Sequence, residues 1–168
     1  CYGDSFVKPE QEIPETGGSV MGLNDPTVKM SKSHSHIRGH TNRMLHEPDE
    51  IQRSFMRAVT DSGNEIRFTD DVEKSGENNL LGIYKVITGK SEIEVEKDFE
   101  DARGYGDLKK AVAEVVIDEL APIREKYQEL MSDVGELDRL LKVGAEQAES
   151  VALPKLAEMK EKMGLIVS

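Results

Sequence analysis

Apolar residues recur at helical spacing through most of the chain after residue 46. The first such run follows Glu47–Asp49, where acidic residues and a proline favour the first turn of a helix. Its apolar members lie one, three and four positions apart and are Ile51, Phe55, Ala58 and Val59. This spacing predicts an amphipathic helix whose apolar side is buried.

Two shorter helices are predicted next because their ends carry capping signals. Asn78 is a candidate N-cap for a helix over residues 79–88, which Gly89 would close in a left-handed conformation. Ser91 and Glu94 have the spacing of a capping box and predict the start of a further short helix. Ser62–Asn64, between short alternating runs, predicts a turn or a small hairpin within residues 59–68.

The longest periodic runs predict two long helices near the C-terminus. Positions three, four and one apart form the first run: Leu108, Val112, Val115, Val116, Leu120, Ile123, Tyr127 and Leu130. The second contains Leu137, Leu140, Leu141, Ala145, Ala148, Val151 and Ala152, and continues past Pro154 to Leu156, Met159 and Met163. We interpret both runs as core-packing stripes rather than cofactor sites, and we expect Pro122 to bend the first helix.

The first 46 residues have a different pattern. Residues 1–28 are rich in glycine and proline, and short apolar-leaning runs at residues 5–7 and 19–23 predict one or two short strands between loops. Residues 29–46 are polar, basic and rich in serine, with no period, which predicts an exposed, mobile loop.

Composition narrows the class of protein. The chain has 168 residues, 37% of them hydrophobic, which is enough for a core, and a formal net charge of -11. Residues 1–46 hold five Lys or Arg and five Asp or Glu, so all the acidic excess lies in residues 47–168, with 17 against 28. The basic segment around residues 29–46 is therefore locally cationic, and local fields govern binding of nucleic acid.

No run of apolar residues is long enough to cross a bilayer, and the N-terminus lacks the pattern of a signal peptide. The single cysteine, Cys1, cannot form an internal disulfide, which fits a reducing compartment, so we expect a cytoplasmic protein. Because Cys1 stands where an initiator methionine is expected, we also expect the chain to be a fragment of a longer protein. The less favoured alternative is a natural start.

The chemistry is concentrated in five residues, Lys29-Met30-Ser31-Lys32-Ser33. Two ammonium groups and two hydroxyls on one loop suit a polyphosphate whose charge moves during a reaction. Lysine fits this role because its charge follows a moving group, whereas arginine prefers fixed planar forks. The alternative is a solvated basic loop without a ligand.

This motif is KMSKS, the second signature of class I aminoacyl-tRNA synthetases, and its surroundings resemble the C-terminal half of the tryptophanyl family. The stretches that carry the resemblance are, in order, GGSVMGLNDPTVKMSKS, RAVTDS, NNLLGIY, RGYGDLKKAVAEVVIDELAPIREKY and LLKVGAEQAESVA. The tyrosyl enzymes share the loop motif but do not pair it with RAVTDS and NNLLGIY. The family often has an acidic residue after KMSKS, whereas this chain has His34-Ser35-His36.

The resemblance implies a mostly α-helical chain in two parts. Residues 1–46 would be the C-terminal remnant of a Rossmann-type α/β catalytic domain with the KMSKS loop, and residues 47–168 an α-helical anticodon-binding region. The implied reaction is activation of tryptophan by ATP with Mg²⁺, followed by transfer to tRNA(Trp), with no tightly bound cofactor. The tryptophan pocket would lie in the N-terminal half of the parent chain, so we expect this fragment alone to be inactive. The resemblance also implies that the parent is a homodimer.

The resemblance also implies roles for individual residues. Lys29 and Lys32 would hold the departing pyrophosphate, Ser31 and Ser33 would bind phosphate oxygens, and Met30 and Val20 would lie against adenine. For Val20, packing in a core strand is an equal alternative. The candidates for tRNA binding are basic residues of the helical part: Arg53, Arg57, Arg67, Lys109 and Lys110. Ordinary solvated positions are the alternative for each of them.

The four histidines, His34, His36, His40 and His46, all lie in the basic segment. We expect no metal site, because neither cysteine nor carboxylate completes a familiar zinc spacing. The functional alternative is that these histidines add positive charge near phosphate below about pH 6.5.

Three rival interpretations remain open at this stage. The chain could be a free-standing helical RNA-binding or regulatory module derived from a class I synthetase, or a purely structural acidic bundle. It could also belong to a paralogue that uses another amino acid or acceptor.

Overall fold

The computed structural model describes residues 5–14 and 17–165. Within these ranges the chain is mostly helical. Five α-helices follow one another: α1 (Pro48–Met56), α2 (Ser75–Thr88), α3 (Glu92–Asp98), α4 (Tyr105–Ser132) and α5 (Val134–Lys162). Short 3-10 helices occupy Lys32–His34 and Val72–Lys74. The described residues form no strand, and one antiparallel bridge joins Met21 to Lys29.

Three helix ends follow signals in the sequence. Glu47 and Glu50 form a reciprocal capping box at the start of α1, with Pro48 in its first turn. Ser91 and Glu94 form the predicted box at the start of α3. Gly89 ends α2 with a left-handed φ of 67°, which suits a residue without a Cβ.

The start of α2 and the segment before it differ from prediction. The helix begins at Ser75 rather than after Asn78, whose side chain bonds the backbone of Thr69 instead of capping a helix. No hairpin forms over residues 59–68. Here Glu77 Oε1 accepts from the Asp61 amide at 2.7 Å, and the chain runs as a loop over α2.

The chain divides into two compact units. Of the described residues, those from Ile13 to Glu125 form one unit, and those up to Glu12 and from Lys126 onward form the other. The first unit holds the hydrophobic core, whose buried members are Leu23, Ile51, Phe55, Ala58, Leu80, Leu81, Val95, Phe99, Tyr105, Leu108, Val112, Ala113 and Val116. Leu23 comes from the segment before KMSKS, so this segment packs on the same core as α1 to α4.

The two long helices differ in how far their apolar stripes are buried. The predicted stripe of α4 is buried at Leu108, Val112 and Val116, and the helix continues through Pro122. The stripe of α5 is not a core, since none of its residues is buried, and Leu141 and Val151 are 63% and 76% exposed. Periodicity identifies a helix's apolar side, but burial also requires an element packed against it. Among the described residues, no helix is long and apolar enough to cross a membrane.

Candidate functional site: the KMSKS segment

A tight turn sets the conformation of the segment before KMSKS. The Val28 amide donates to Asp25 O at 3.2 Å, with Pro26 and Thr27 as the central residues. The Asp25 carboxylate accepts from the Thr27 hydroxyl at 2.6 Å and from the Thr27 amide at 3.0 Å. These two hydrogen bonds, with the hydroxyl the stronger influence, lower the pKa of the Asp25 carboxyl below its usual value.

The turn joins two short extended segments. Gly22 donates its amide to Val28 O at 2.8 Å, and the Met30 amide donates to Val20 O at 2.9 Å. The predicted run at residues 19–23 is therefore extended and paired, although it forms only the isolated bridge between Met21 and Lys29. This pairing fixes the position at which the KMSKS motif leaves the turn.

Asn79 of α2 attaches these paired segments to the helical core. Its carboxamide oxygen accepts from the Met21 amide at 2.8 Å, and its nitrogen donates to Met21 O at 3.0 Å. One side chain thus satisfies both backbone groups of a residue 58 positions away. The adjacent Asn78 makes the same pair of bonds to Thr69. The NNLLGIY stretch therefore anchors two loops through neighbouring asparagines.

The motif itself begins a short 3-10 turn. Ser31 is the N-cap of Lys32–His34, its carbonyl accepts from the His34 amide at 3.1 Å, and its hydroxyl lies 3.3 Å from His34 Nδ1. Lys29, Lys32 and Ser33 are exposed. Neither lysine forms an ion pair with any residue that the structure describes, so both ammonium groups are open to an anionic ligand.

His40 corrects the prediction that residues 29–46 form an exposed loop throughout. Its side chain is 2% exposed, its Nδ1 is 2.6 Å from Asn24 Oδ1, and its carbonyl accepts from the Leu23 amide at 3.1 Å. The ring lies directly over Gly22, where an added Cβ would come within 2.1 Å of Cε1. Such a contact between residues far apart in the sequence produces no regular spacing of apolar positions, so the sequence pattern could not predict it.

The other histidines are placed differently. The His34 ring meets the His40 ring edge to face, with centroids 5.2 Å apart, while His36 is exposed. His46 Nδ1 accepts from the Arg43 amide at 3.3 Å. In residues 5–14 and 17–165, no group of three His, Cys, Asp or Glu side chains is arranged to hold a metal ion.

Two clefts meet at Met30, and we name them the apolar cleft and the motif cleft. The apolar cleft encloses about 670 Å³ and is lined by Val20, Met21 and Met30 on one side and by residues of α2 on the other. The motif cleft encloses about 520 Å³ and is lined by Met30, Ser31, Lys32, Ser35, Thr41, Asn42, Arg43 and Met44. Asn42 borders both clefts, and its buried carboxamide has no hydrogen-bond partner among the described residues.

This arrangement brings together most of the residues predicted to bind ATP. Val20 and Met30 are joined by a hydrogen bond between their backbones, and both line the apolar cleft. Ser31 and Lys32 line the motif cleft. Lys29 and Ser33 are not among the residues lining either cleft. Asn42 and Asn79 were not predicted as site residues. Asn79 lies in the NNLLGIY stretch, which indicated the family but not this contact, and no pattern in the sequence marks Asn42.

The five residues predicted to bind tRNA do not form one site. Arg53 and Arg57 lie on and just after α1 and line a common cleft. Arg67 pairs with Glu65 at 3.1 Å, and Lys110 lies 3.9 Å from Glu114. Burial lowers the pKa of Lys109, although the charge of Glu77 opposes this shift.

Comparisons with known proteins agree with the motif and the fold. The family model described as tRNA synthetases class I (W and Y) matches residues 2–121. The chain therefore belongs to the class I tRNA synthetases for tryptophan and tyrosine.

Curated relatives point to the tryptophan branch. The chain is 48% identical over 166 residues to the tryptophan–tRNA ligase of Caldanaerobacter subterraneus subsp. tengcongensis, covering 99% of this chain and 49% of that protein. It is 45% identical over 165 residues to the ligase of Wolinella succinogenes, covering 98% and 49%. The chain thus spans about half the length of these relatives.

Solved structures show the same likeness. The tryptophanyl-tRNA synthetase of Mycoplasma pneumoniae matches with a TM-score of 0.77 and 27% identity, over 91% of this chain and 45% of that one. The Campylobacter jejuni enzyme complexed with ADP and tryptophan matches with a TM-score of 0.67 and 27% identity, over 98% and 49%. The resemblance to the C-terminal half of tryptophanyl-tRNA synthetases is confirmed.

Proposed function

We propose that this chain is the part of a tryptophan–tRNA ligase that binds the ATP phosphates and the tRNA. The observation that carries the proposal is the KMSKS segment. Lys29 and Lys32 are free of ion pairs within the described chain, beside a turn that Asn79 fixes to the core. Mobile ammonium groups on a fixed base suit a leaving group whose charge increases during reaction.

The relatives' name, tryptophan–tRNA ligase, supports the following reaction. A tryptophan carboxylate oxygen forms a bond to the α-phosphorus of ATP, and the bond from that phosphorus to the bridging oxygen of pyrophosphate breaks. Lys29 and Lys32 neutralise the charge that develops on pyrophosphate, and Ser31 and Ser33 donate hydrogen bonds to its oxygens. Transfer of the tryptophanyl group to tRNA(Trp) then releases AMP.

Val20 and Met30 would hold the adenine. Both border the apolar cleft, and the hydrogen bond between their backbones holds Met30 next to Val20. The Campylobacter jejuni neighbour, which is complexed with ADP, supports nucleotide binding by this fold. Mg²⁺ would enter with ATP on the phosphates rather than on a protein site of its own.

The remaining parts of the proposal concern the whole protein. Residues 1–46 would complete the Rossmann-type catalytic domain, and residues 47–168 would form the anticodon-binding region. The parent would be a cytoplasmic homodimer, and this fragment alone would not aminoacylate. The 48% identity to a tryptophan–tRNA ligase, over 49% of that protein, supports a place for this chain within a larger ligase.

A chimera tests the proposal. The matching half of the Caldanaerobacter subterraneus ligase is replaced by this chain, and tryptophan-dependent ATP–pyrophosphate exchange is measured beside the natural ligase and this chain alone. We expect exchange with tryptophan and not with tyrosine, and none from the chain alone. A chimera that is folded by circular dichroism and binds tryptophan, but forms no adenylate, would contradict the proposal.

A further inference from the structure

An arginine-rich cleft lies next to the motif cleft in the same compact unit. It encloses about 410 Å³, and its lining includes Arg38, Arg43, Glu50, Arg53 and Arg57. Four arginines and one carboxylate residue therefore line this cleft. This excess of positive charge occurs in a chain whose net charge is -11.

No carboxylate of the described residues pairs with the arginines of this cleft, although Arg43 Nη2 donates to Ser35 O at 3.5 Å. Within the described residues, none of the four forms an ion pair, whereas Arg67 and Arg139 elsewhere pair with Glu65 and Glu136. Arg53 uses its Nε to donate to Asp49 O at 2.9 Å, which leaves its terminal nitrogens available. Uncompensated like charges repel each other, so a cluster of this kind calls for an anionic ligand.

The single carboxylate in the cleft does not neutralise the arginines. Glu50 Oε2 accepts from the Glu47 amide at 3.1 Å as part of the capping box of α1. Its role at the start of the helix therefore accounts for its presence. Ser35, Thr41 and Ser54 add hydroxyls, and Asn24 an amide, which are suitable partners for phosphate oxygens.

The arginine-rich cleft adjoins the motif cleft. Ser35, Thr41 and Arg43 line both, so basic residues border the two neighbouring clefts along a path from Lys32 past Arg43 to Arg57. One pyrophosphate would occupy one end of such a path. A series of phosphates, as in a nucleic-acid backbone, would follow its whole length.

We propose that this arginine-rich cleft binds the phosphate backbone of RNA through Arg38, Arg43, Arg53 and Arg57. The inference rests on the proposed function and makes it more specific. It keeps Arg53 and Arg57 as RNA contacts and adds Arg38 and Arg43. It removes Arg67 and Lys110, which have carboxylate partners in the chain. Because arginine binds phosphate in a bidentate fork, the contact recognises the backbone and not the base sequence.

The test uses the full 168-residue chain and fluorescence anisotropy with labelled tRNA(Trp), a labelled unrelated tRNA and inorganic pyrophosphate as competitor. The cleft variant is Arg53→Gln/Arg57→Gln, and the matched control is Arg67→Gln/Arg139→Gln, which also removes two guanidinium charges. Each protein is measured at several KCl concentrations, and its fold is checked by thermal denaturation. A second cleft variant, Arg38→Gln/Arg43→Gln, covers the case in which α1 is disturbed.

We expect each cleft variant to bind both RNAs about tenfold more weakly at low salt. The slope of log K against log[KCl] should become shallower by roughly 1.5, because about two phosphate contacts are lost. The control pair should keep the slope of the natural chain. Pyrophosphate should compete only weakly.

Different results overturn different claims. An unchanged slope in both folded cleft variants, with tRNA still bound by the natural chain, would overturn the cleft and leave the proposed function standing. Equal loss in the control pair, loss of pyrophosphate binding alone, or no RNA binding by the natural chain would also overturn the cleft. Cleft-dependent binding with an inactive ligase chimera would contradict the proposed function and leave the cleft supported.

Discussion

Replacing Asn79 with alanine removes the side chain that holds the base of the KMSKS turn. The carboxamide bonds both backbone groups of Met21, at 2.8 and 3.0 Å, and these groups are partly buried. A buried polar group that loses its partner costs about 1–3 kcal/mol. Because water reaches a partly buried group, we expect a loss of about 2 kcal/mol for the two bonds together.

Hydrogen exchange at the Met21 amide measures this loss directly. An opening free energy lower by about 2 kcal/mol makes this amide exchange roughly 30-fold faster. Trypsin should also cleave faster after Lys29 and Lys32, because the turn that carries them is released. Gln52→Ala is the control, since Gln52 is an exposed residue of α1. Unchanged exchange at Met21 in the folded Asn79→Ala variant would refute the anchoring role.

Three further substitutions test local features. Gly22→Ala places a Cβ within 2.1 Å of the His40 ring, so the free energy of unfolding in urea should fall by about 2 kcal/mol, as in other overpacked sites. Thr27→Ala removes the main cause of the lowered Asp25 pKa, so NMR titration should show that pKa rising toward 3.8 while part of the shift remains from the backbone amide. Gly89→Ala puts a side chain at φ 67°, so α2 should lose about 1 kcal/mol of stability in thermal denaturation.

The pH dependence at Asp25 has a defined sign. Its pKa in the folded chain is below the unfolded value of 3.8, so the hydrogen bonds from Thr27 stabilise the fold fully above that value. This contribution is lost as the pH falls from 3.8 through the lower folded pKa.

For Gly22→Ala, the control for added bulk is Gly106→Ala, because a Cβ there meets nothing within 4 Å. Equal destabilisation by Gly22→Ala and Gly106→Ala would contradict the contact with His40.

Local chemistry explains which parts of the fold were predictable. Ser91 with Glu94, and Gly89 after an apolar run, act within one helical turn, so the sequence contains the whole signal. Asn78 shows where this fails. Its amide is as suitable for holding a distant backbone as for capping a helix, and the contact with Thr69 decides between them. The core side of α4 was predictable, whereas burial of the α5 stripe depended on a neighbour that periodicity does not reveal.

The candidate site was predictable in its chemistry but not in its support. KMSKS identifies the lysines and serines because a short flexible motif carries its function in residue type alone. The groups that position it, Asn79 and His40, act across long sequence separations and belong to no spacing rule. The same reason hid the arginine-rich cleft, which joins residues of the basic segment to residues of α1.

The central claim is that Lys29 and Lys32 neutralise the departing pyrophosphate. Its most direct test is the rate of ATP–pyrophosphate exchange in the ligase chimera carrying Lys29→Ala/Lys32→Ala, with tryptophan binding measured in the same preparation. Since charge stabilisation by one such group contributes about 10²–10³ in rate, we predict a loss of at least about a hundredfold with tryptophan binding unchanged. Adenylate formation at the unsubstituted rate would contradict the account.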